Sequence, residues 1–348
     1  MAAPDSSAPA PPTPPTDPAV AMLRLLGGFQ LSQALYVVAR ARVVDLLADG
    51  PLRVDEVARA TGLRPEPLRR VLRTLATEHL FVRDEDQDSV ALGPLGHTLL
   101  SNTDDSLRDL ALMWMETHYR PFAHLWSTLH DEVPAAEHEW GMPFFDWLAQ
   151  EPERVAGFSA AMSSMMRAVR RDALHSLDLT GVRRVVDVGG ADGTALAAVA
   201  ERHPELRGTV FDLPHVVAAA PALLERAEVA DRVDTEGGDF FAGVPAGADA
   251  YLACFILHDW NDEQCARILA RIHEAAAPGA RLFLVETVLG AGAAPGVGAL
   301  LDLTMLGMLT GRERTRGDWN TLLGGNGFRV DGIRETAGPM CVIEATRT

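Results

Sequence analysis

Apolar residues follow two different spacings along this chain, and the change comes near residue 181. Before it the spacing is mostly that of helices, most clearly over residues 31–47. After it, short apolar runs alternate with helical stretches, which predicts strands separated by helices. The predicted strands are 184–188, 208–212, 233–236, 249–256, 281–288, 328–334 and 340–346. Helices between the first five strands predict an α/β fold with a doubly wound, Rossmann-like sheet.

The region before the sheet divides into two parts. Within the first, residues 54–92 have the outline of a winged helix, with helices predicted at 54–58 and 65–75 and short strands at 80–83 and 89–92. Its second helix carries Arg69, Arg70 and Arg73, which permits either DNA binding or a packing and dimerisation module with a solvated face. The second part, residues 101–178, is predicted to be helical throughout and is rich in Met, Trp and Phe. Most of these large side chains belong in a core, although some could wall an aromatic substrate site.

Charge favours the packing module over DNA binding. The chain has 31 Lys and Arg against 48 Asp and Glu, a net charge of −17, whereas phosphate contacts dominate affinity for DNA. Its three cysteines have neither metal-ligand nor disulfide spacing, which fits a cytoplasmic protein without a metal. No apolar run approaches the roughly 20 residues of a membrane span, and the start of the chain lacks the features of a signal peptide. We therefore expect neither a nucleic acid nor a membrane as partner.

The first predicted strand of the sheet runs into a glycine-rich turn that opens a helix. Such a turn brings backbone N–H groups close to a ligand. The dinucleotide fingerprint G-x-G-x-x-G fails here, because Ala191 and Thr194 stand where its second and third glycines belong. Asp187, two residues before Gly189, would repel a pyrophosphate but attract an ammonium group. The turn therefore favours S-adenosylmethionine, which has a cationic amino acid end and no phosphates.

Further polar residues follow the other strands, at the edge of the sheet where ligands bind. Asp212 ends the second strand, where an acid can accept hydrogen bonds from ribose hydroxyls. Asp239 follows the third strand and could accept from an adenine amino group, while Phe240 covers the ring. His258 follows the fourth strand and is suited to proton abstraction near neutral pH. Glu286 ends the fifth strand, and Glu313 could fold back over His258 and fix its tautomer, unless it pairs with Arg312 or Arg314 instead.

Together these segments resemble the metal-independent small-molecule O-methyltransferases, the family of plant phenolic and bacterial antibiotic-tailoring enzymes. The resemblance runs from about residue 25 to the end. It rests on D-V-G-G at 187–190, F-D-L-P at 211–214, G-D-F-F at 238–241, L-H-D-W at 257–260, D-L-T-M-L at 302–306 and E-R-T at 313–315. It implies a homodimer with a winged-helix dimerisation domain, methyl transfer to a small aromatic acceptor, and His258 as general base flanked by Glu286 and Glu313.

The resemblance also implies the remaining site residues. The expected cofactor site comprises Asp187, Gly189, Gly190, Asp212, Leu213, Gly238, Asp239, Phe240 and Cys254. The expected acceptor site comprises Met162, Met166, Trp260, Asp302, Met305 and Leu309. Three departures stand out: Ala191 replaces a common glycine at what should be little cost, Cys254 replaces a cofactor-contacting lysine, and Asp318 replaces a frequent glutamate.

We accordingly expect four segments and keep two alternative functions open. The segments are a disordered tail at 1–19, the dimerisation domain at 20–100, a helical linker that contributes to the substrate pocket at 101–178, and the cofactor-binding catalytic domain at 179–348. One alternative is an enzyme of the same fold that performs non-methylating, C-methylating or N-methylating chemistry with S-adenosylmethionine bound. The other is a transcription regulator built on the winged helix.

Overall fold

A computed structural model describes residues 17–103, 106–292 and 295–348, and these residues form two compact units that divide after Ser101. Most of the predicted tail at 1–19 lies outside the described residues. Its last two residues are helical, because α1 begins at Pro18. The carboxylate of Asp17 starts this helix by accepting hydrogen bonds from the N–H groups of Ala19, at 2.9 Å, and Val20, at 3.3 Å.

The first unit has the predicted winged-helix outline. Its elements are α1 Pro18–Leu26, α2 Gly28–Arg40, α3 Val43–Leu46, β1 Leu52–Arg53, α4 Val54–Thr61, α5 Pro65–Ala76, β2 Phe81–Asp84 and β3 Ser89–Leu92. The three strands form an antiparallel sheet in the order β1-β3-β2. Helix α5 buries Leu68, Leu72 and Leu75, one apolar stripe at helical spacing.

The arginines of α5 are not all free for a partner. Arg69 lies 2.7 Å from Asp88 and 2.6 Å from Asp55, and these carboxylates raise the pKa of its guanidinium. Because both acids belong to the same unit, Arg69 stabilises the wing. This contact removes one of the three cations on which the DNA-binding interpretation depends.

The second unit opens with short helices. They are α6 Arg108–Met113, a π-helical turn at Trp114–His118, a 3₁₀ turn at Pro121–His124, α7 Leu125–Asp131, α8 Ala135–Trp140, α9 Phe144–Ala149 and the longer α10 Pro152–His175. The region is helical as predicted, but prolines divide it: Pro121 and Pro152 occupy first turns, while Pro134 and Pro143 precede α8 and α9. Trp140 stacks on Trp147 with ring centroids 3.9 Å apart, and Phe144 packs with Met308, so these side chains form core as expected.

The rest of this unit is the predicted α/β sheet. Its elements are β4 Arg184–Val188, α11 Thr194–Arg202, β5 Arg207–Asp212, α12 Pro214–Val217, α13 Ala220–Arg226, β6 Val233–Gly237, β7 Ala250–Cys254, α14 Asp262–Ala275, β8 Arg281–Glu286, β9 Val288–Leu289, α15 Pro295–Met308, β10 Arg314–Thr315, α16 Arg316–Gly325, β11 Phe328–Glu335 and β12 Cys341–Arg347. Seven strands form one sheet in the order β11-β12-β8-β7-β4-β5-β6, and β9 pairs separately with β10. Strand β12 runs antiparallel to both of its neighbours, whereas β6, β5, β4, β7 and β8 are parallel.

The order of the strands locates the binding edge. The chain winds from β4 outward to β5 and β6, then returns to place β7 on the other side of β4. A crevice forms at such a switch point, beyond the carboxyl ends of the strands. Strands β4, β5, β7 and β8 are buried on both faces, and alternate residues face opposite sides. Val185 belongs to the core cluster on one face, together with α10, while Val186 belongs to the cluster on the other.

The turn between β4 and α11 requires a left-handed backbone at three places. Gly189 and Gly193 have φ of +74° and +79°, which glycine adopts without strain. Ala191 has φ of +47°, where an L side chain crowds the following carbonyl. The expectation that alanine costs little at this position therefore needs revision, because its backbone conformation is strained.

We predict that Ala191→Gly stabilises the protein. Relief of about 1–2 kcal/mol of left-handed strain should exceed the extra entropy that glycine gives the unfolded chain, about 0.4–1 kcal/mol. The free energy of unfolding, measured by urea denaturation, should rise by about 0.5–1 kcal/mol. The matched control Ala198→Gly, inside α11, should lower it by about 1 kcal/mol. An Ala191→Gly protein destabilised as much as the control would contradict the assignment of strain.

Candidate functional site

The glycine turn and the loop after β7 fit against each other at the switch point. A Cβ atom on Gly189 would lie 2.5 Å from Ile256 Cδ1, so a side chain at 189 would force the side chain of Ile256 to move. A Cβ atom on Gly190 would lie 2.8 Å from Asp187 Oδ2. Both glycines therefore keep the turn open and allow close approach of its backbone.

Asp187 is a fully buried carboxylate without a partner. Its side chain has no exposed surface, and neither oxygen accepts a hydrogen bond from a described residue. Burial raises its pKa to about 7, although the charge of Arg170 acts in the opposite direction. An unpaired buried carboxylate is costly. The arrangement therefore suits a cationic ligand group that would complete it.

Asp212 ends β5 as predicted and has a local task that the sequence did not reveal. Its Oδ2 accepts a hydrogen bond from the Ala191 N–H at 2.9 Å, and its Oδ1 accepts one from the Leu213 N–H at 2.7 Å. Burial raises its pKa. Asp212 thus stabilises the strained residue of the glycine turn, while each oxygen keeps a lone pair for a ligand. Leu213 itself is 41% exposed.

The end of β6 carries an aromatic cluster. Phe240 and Phe241 lie edge to face with Trp260, at centroid distances of 6.0 and 4.8 Å. Trp260, expected in the acceptor site, therefore lies with the expected cofactor residue Phe240. Gly238 has no space for a side chain, since its Cβ would lie 2.5 Å from Phe211. Asp239 is exposed and accepts from the Phe241 N–H at 2.8 Å.

His258 lies in the 3₁₀ turn Leu257–Asp259 that follows β7, and it is 2% exposed. Its Nδ1 is 2.8 Å from Glu313 Oε1, so the carboxylate of Glu313 contacts the imidazole as one of the two sequence hypotheses predicted. When Glu313 is ionised it can only accept, so Nδ1 must donate, and in the neutral imidazole Nε2 then keeps its lone pair. Burial raises the pKa of Glu313 to about 8. The ring of Phe255 packs on the imidazole at a centroid distance of 3.7 Å.

Glu286 holds the backbone of this turn. Its Oε1 accepts hydrogen bonds from the N–H groups of Ile256, at 3.1 Å, and Leu257, at 2.8 Å. It is fully buried, and burial raises its pKa to about 7. Glu286 thus acts on His258 through the turn that carries it.

Two residues of this site escaped prediction. Asp259 Oδ1 lies 3.2 Å from His258 Nε2, and burial raises the pKa of Asp259 to about 6. Arg314 is fully buried; its guanidinium donates to the carbonyl groups of Leu257 and Trp260, both at 2.9 Å, and pairs with Asp262 at 2.7 Å. It therefore clamps the loop around His258. The adjacency of Asp259 to His258 in sequence was a usable signal, whereas nothing local distinguishes Arg314 from its exposed neighbour Arg312.

The expected acceptor residues lie on two helices and the loop that follows one of them. Met166, in α10, and Met305, in α15, are each 6% exposed, while Met162 is half-buried. Asp302 Oδ1 accepts from the Glu313 N–H at 2.9 Å, which connects α15 to the carboxylate beside His258. Leu309 packs against the cluster that contains Phe144 and Met308 and so contributes to the core of the helical region.

Two kinds of feature are absent from the described ranges. Residues 17–103, 106–292 and 295–348 contain no group of three or more His, Cys, Asp and Glu side chains placed to hold a metal ion. In the same ranges no helix combines the length and apolar character that crossing a membrane requires.

Comparisons with known proteins identify the family. An O-methyltransferase domain model matches residues 122–329, and an O-methyltransferase dimerisation domain model matches residues 23–102. The chain belongs to the O-methyltransferase family. It is 36% identical to a phenazine O-methyltransferase of Lysobacter antibioticus, over 93% of this chain and 95% of that one.

Two Streptomyces relatives are as similar. One is an 8-amino-8-demethylriboflavin N,N-dimethyltransferase of S. davaonensis, 36% identical over 90% of this chain and 91% of that one. The other is a 3-amino-4-hydroxybenzoate 4-O-methyltransferase of S. cremeus, 36% identical over 90% of this chain and 86% of that one. These names describe different acceptors on one protein framework.

Solved structures agree with the fold. The crystal structure of LaPhzM matches with a TM-score of 0.88 and 35% identity, covering 96% of this chain and all of that one. The methyltransferase of calicheamicin biosynthesis, solved with S-adenosylhomocysteine bound, matches with a TM-score of 0.85 and 30% identity. The match covers 95% of this chain and 98% of that one. This O-methyltransferase therefore uses S-adenosylmethionine, and the unpaired Asp187 beside an open glycine turn fits its cationic amino acid end.

We predict that Arg314 is essential to the stability of the loop. Arg314→Met would leave the carbonyl groups of Leu257 and Trp260 without their donor, and each buried acceptor left without a hydrogen bond costs about 1–3 kcal/mol. The control is Arg312→Met; Arg312 is 46% exposed and also pairs with Asp262, and its loss should cost less than about 1 kcal/mol. Equal free energies of unfolding for the two variants in urea would refute the clamp.

Proposed function

We propose that this O-methyltransferase methylates a phenolic or enolic hydroxyl group of a small aromatic natural product, with His258 as the general base. The observation that carries this proposal is the hydrogen bond between His258 Nδ1 and Glu313, 2.8 Å long and buried. It favours the tautomer whose Nε2 can take a proton. S-adenosylmethionine supplies a methyl group on a positively charged sulfur atom that is a good leaving group. The protein must then align the acceptor oxygen and remove its proton away from water.

The catalytic residues divide into one base and two positioning groups. His258 takes the hydroxyl proton on Nε2. Glu313 holds the imidazole through Nδ1 and stabilises the imidazolium that forms. Glu286 holds the turn through the N–H groups of Ile256 and Leu257. The carboxylate of Asp259, 3.2 Å from Nε2, stabilises the positive charge that the imidazole gains when it takes the proton.

We assign the cofactor site to residues at three successive strand ends. Asp187, Gly189 and Gly190 would hold the amino acid end, Asp212 and Leu213 the ribose, and Gly238, Asp239 and Phe240 the adenine. Cys254, at the end of β7, would line the same site with a small apolar group; burial strongly raises the pKa of its thiol, so it is not a charged contact. The contact of Trp260 with Phe240 supports moving Trp260 from the acceptor site to the adenine side.

We assign the acceptor site to Met162, Met166, Met305 and Asp302, with Leu309 behind them. The first three are apolar and adaptable, which suits a flat aromatic ring. N-methylation is the second candidate, because a relative with 36% identity is named as an N,N-dimethyltransferase. An aromatic amine that has a free lone pair needs no base before transfer. The effect of removing His258 therefore separates the two reactions.

We further propose that the protein is a cytoplasmic homodimer that binds neither nucleic acid nor membrane, with residues 20–100 as the dimerisation domain and 101–178 joining it to the catalytic domain at 179–348. The dimerisation model at 23–102 supports the dimer. So do the large apolar side chains of α1, since Val20, Met22, Leu23, Leu25 and Leu26 are 53–76% exposed. The three cysteines are free, which fits a reducing compartment.

We predict that His258→Ala removes methylation but not cofactor binding. General base catalysis is worth about 10²–10⁴-fold, so turnover at pH 7.5 should fall by that factor. A panel of a hydroxyphenazine, 3-amino-4-hydroxybenzoate and N-acetylserotonin, read by product mass, would supply the acceptor. The Kd for S-adenosylhomocysteine should stay within about twofold. His175→Ala, at the exposed end of α10, is the control. Wild-type turnover in the His258→Ala enzyme would exclude the base and favour N-methylation.

We predict a pH dependence set by Glu313. Its pKa is raised to about 8, and only its ionised form fixes Nδ1 as the donor. Activity should therefore be low below this pKa and rise as the pH increases through about 8. Glu313→Gln should lower kcat on the order of 10²–10⁴-fold and abolish this rise. Glu335→Gln, on the exposed end of β11, should leave the profile intact. If Glu313→Gln kept the same profile, the rise would belong to another group.

A further inference from the structure

Helix α10 passes over the glycine turn and carries a charge that the proposed mechanism does not use. Ser163 Oγ donates to Asp192 Oδ2 at 2.7 Å, which joins the helix to the turn. Two turns further on, Ala173 and Leu174 are buried in the core cluster on the Val185 face of the sheet. Arg170 lies on the same side of the helix, because positions i+3 and i+4 are neighbours on a helix surface.

Arg170 is a buried cation without a partner. It is 8% exposed, and no hydrogen bond or ion pair joins its guanidinium to another of the described residues. Charged side chains with so little exposed surface are normally paired, because burial without a partner is costly. Unlike the oxygen atoms of Asp187, its nitrogen atoms are not fully enclosed, so they keep some contact with solvent.

The two isolated charges face the same space. Side chains alternate along a strand, so Asp187 points to the face of Val185, which is the face that α10 covers. Cys254, at the end of the neighbouring strand, belongs to this cluster as well. The charge of Arg170 acts against the rise in pKa that burial causes at both Asp187 and Cys254, which agrees with a guanidinium on the same face of the sheet as these two groups. Arg170 does not donate a hydrogen bond to Asp187, because neither oxygen of that carboxylate has a hydrogen-bond partner.

We propose that Arg170 binds the carboxylate of the cofactor's amino acid end, opposite Asp187, which binds the ammonium group. A zwitterionic amino acid between them would satisfy both charges at once. A guanidinium suits this task because it can donate two parallel hydrogen bonds to a carboxylate. The geometry also explains why an isolated cation is tolerated inside a core.

The test compares two ligands that differ in the amino acid end. S-adenosylhomocysteine carries the zwitterion, whereas 5′-methylthioadenosine keeps the adenosine and the sulfur but lacks it. In Arg170→Gln, measured by calorimetry, the Kd for S-adenosylhomocysteine should rise by about 10–100-fold, the range of a lost hydrogen bond to a charged group. The Kd for 5′-methylthioadenosine should stay within about twofold, which also reports that the site is folded. Arg171→Gln, changing an exposed neighbour, should affect neither ligand.

Two further variants sharpen the result. Arg170→Lys keeps a charge and should recover part of the lost affinity. Asp187→Asn should weaken S-adenosylhomocysteine far more than 5′-methylthioadenosine. An unchanged Kd for S-adenosylhomocysteine in Arg170→Gln, or equal weakening of both ligands, would overturn the proposal. The inference depends on the cofactor and not on the base, and no acceptor is present, so its failure is distinct from a failure of His258.

Discussion

The hydrogen bond between His258 and Glu313 joins residues 55 positions apart, and much of the site serves to keep it in place. Glu286 holds the turn from beneath through two N–H groups, and Arg314 holds the following loop through two carbonyl groups. The N–H of Glu313 is itself bound by Asp302 on α15. Each of these contacts fixes the position of the protein backbone and not that of the substrate. The buried imidazole therefore keeps one orientation, and once Glu313 is ionised it keeps one tautomer, without help from the acceptor.

Burial is the second constraint, and it acts on several carboxylates together. Asp187, Glu286 and Glu313 have pKa values raised to about 7, 7 and 8, each mainly because burial removes water from the charged form. Each group can offset this cost in a different way. Glu313 accepts a hydrogen bond from the imidazole, and Glu286 accepts two from backbone N–H groups. Asp187 can be paired by the cationic group of a ligand. Burial of a carboxylate thus serves three purposes: Glu313 fixes the tautomer of His258, Glu286 holds the loop, and Asp187 offers a binding site for a ligand.

Much of the fold and the strand-end residues could be predicted from the sequence. The spacing of apolar residues in strands and helices can be read from neighbouring positions in the sequence. Parallel strands then bring Asp212, Asp239 and His258 to one edge of the sheet, however the loops are arranged. Other features depend on contacts distant in sequence. Three contacts depend on the path by which a loop folds back onto the sheet. They are the hydrogen bond of Asp212 to the Ala191 amide, that of Arg314 to the Leu257 carbonyl, and the contact of Trp260 with Phe240. The left-handed backbone of Ala191 could not be predicted, because only the geometry of the turn reveals it.

The tautomer of His258 is the central claim, and nitrogen NMR measures it directly. In protein labelled with ¹⁵N-histidine at pH 9, above the pKa of Glu313, the spectrum of the wild type minus that of His258→Gln isolates this ring. The account predicts a protonated Nδ1 and an unprotonated Nε2 for His258. A protonated Nε2 with an unprotonated Nδ1 would contradict it, because His258 could then not accept the proton of the substrate.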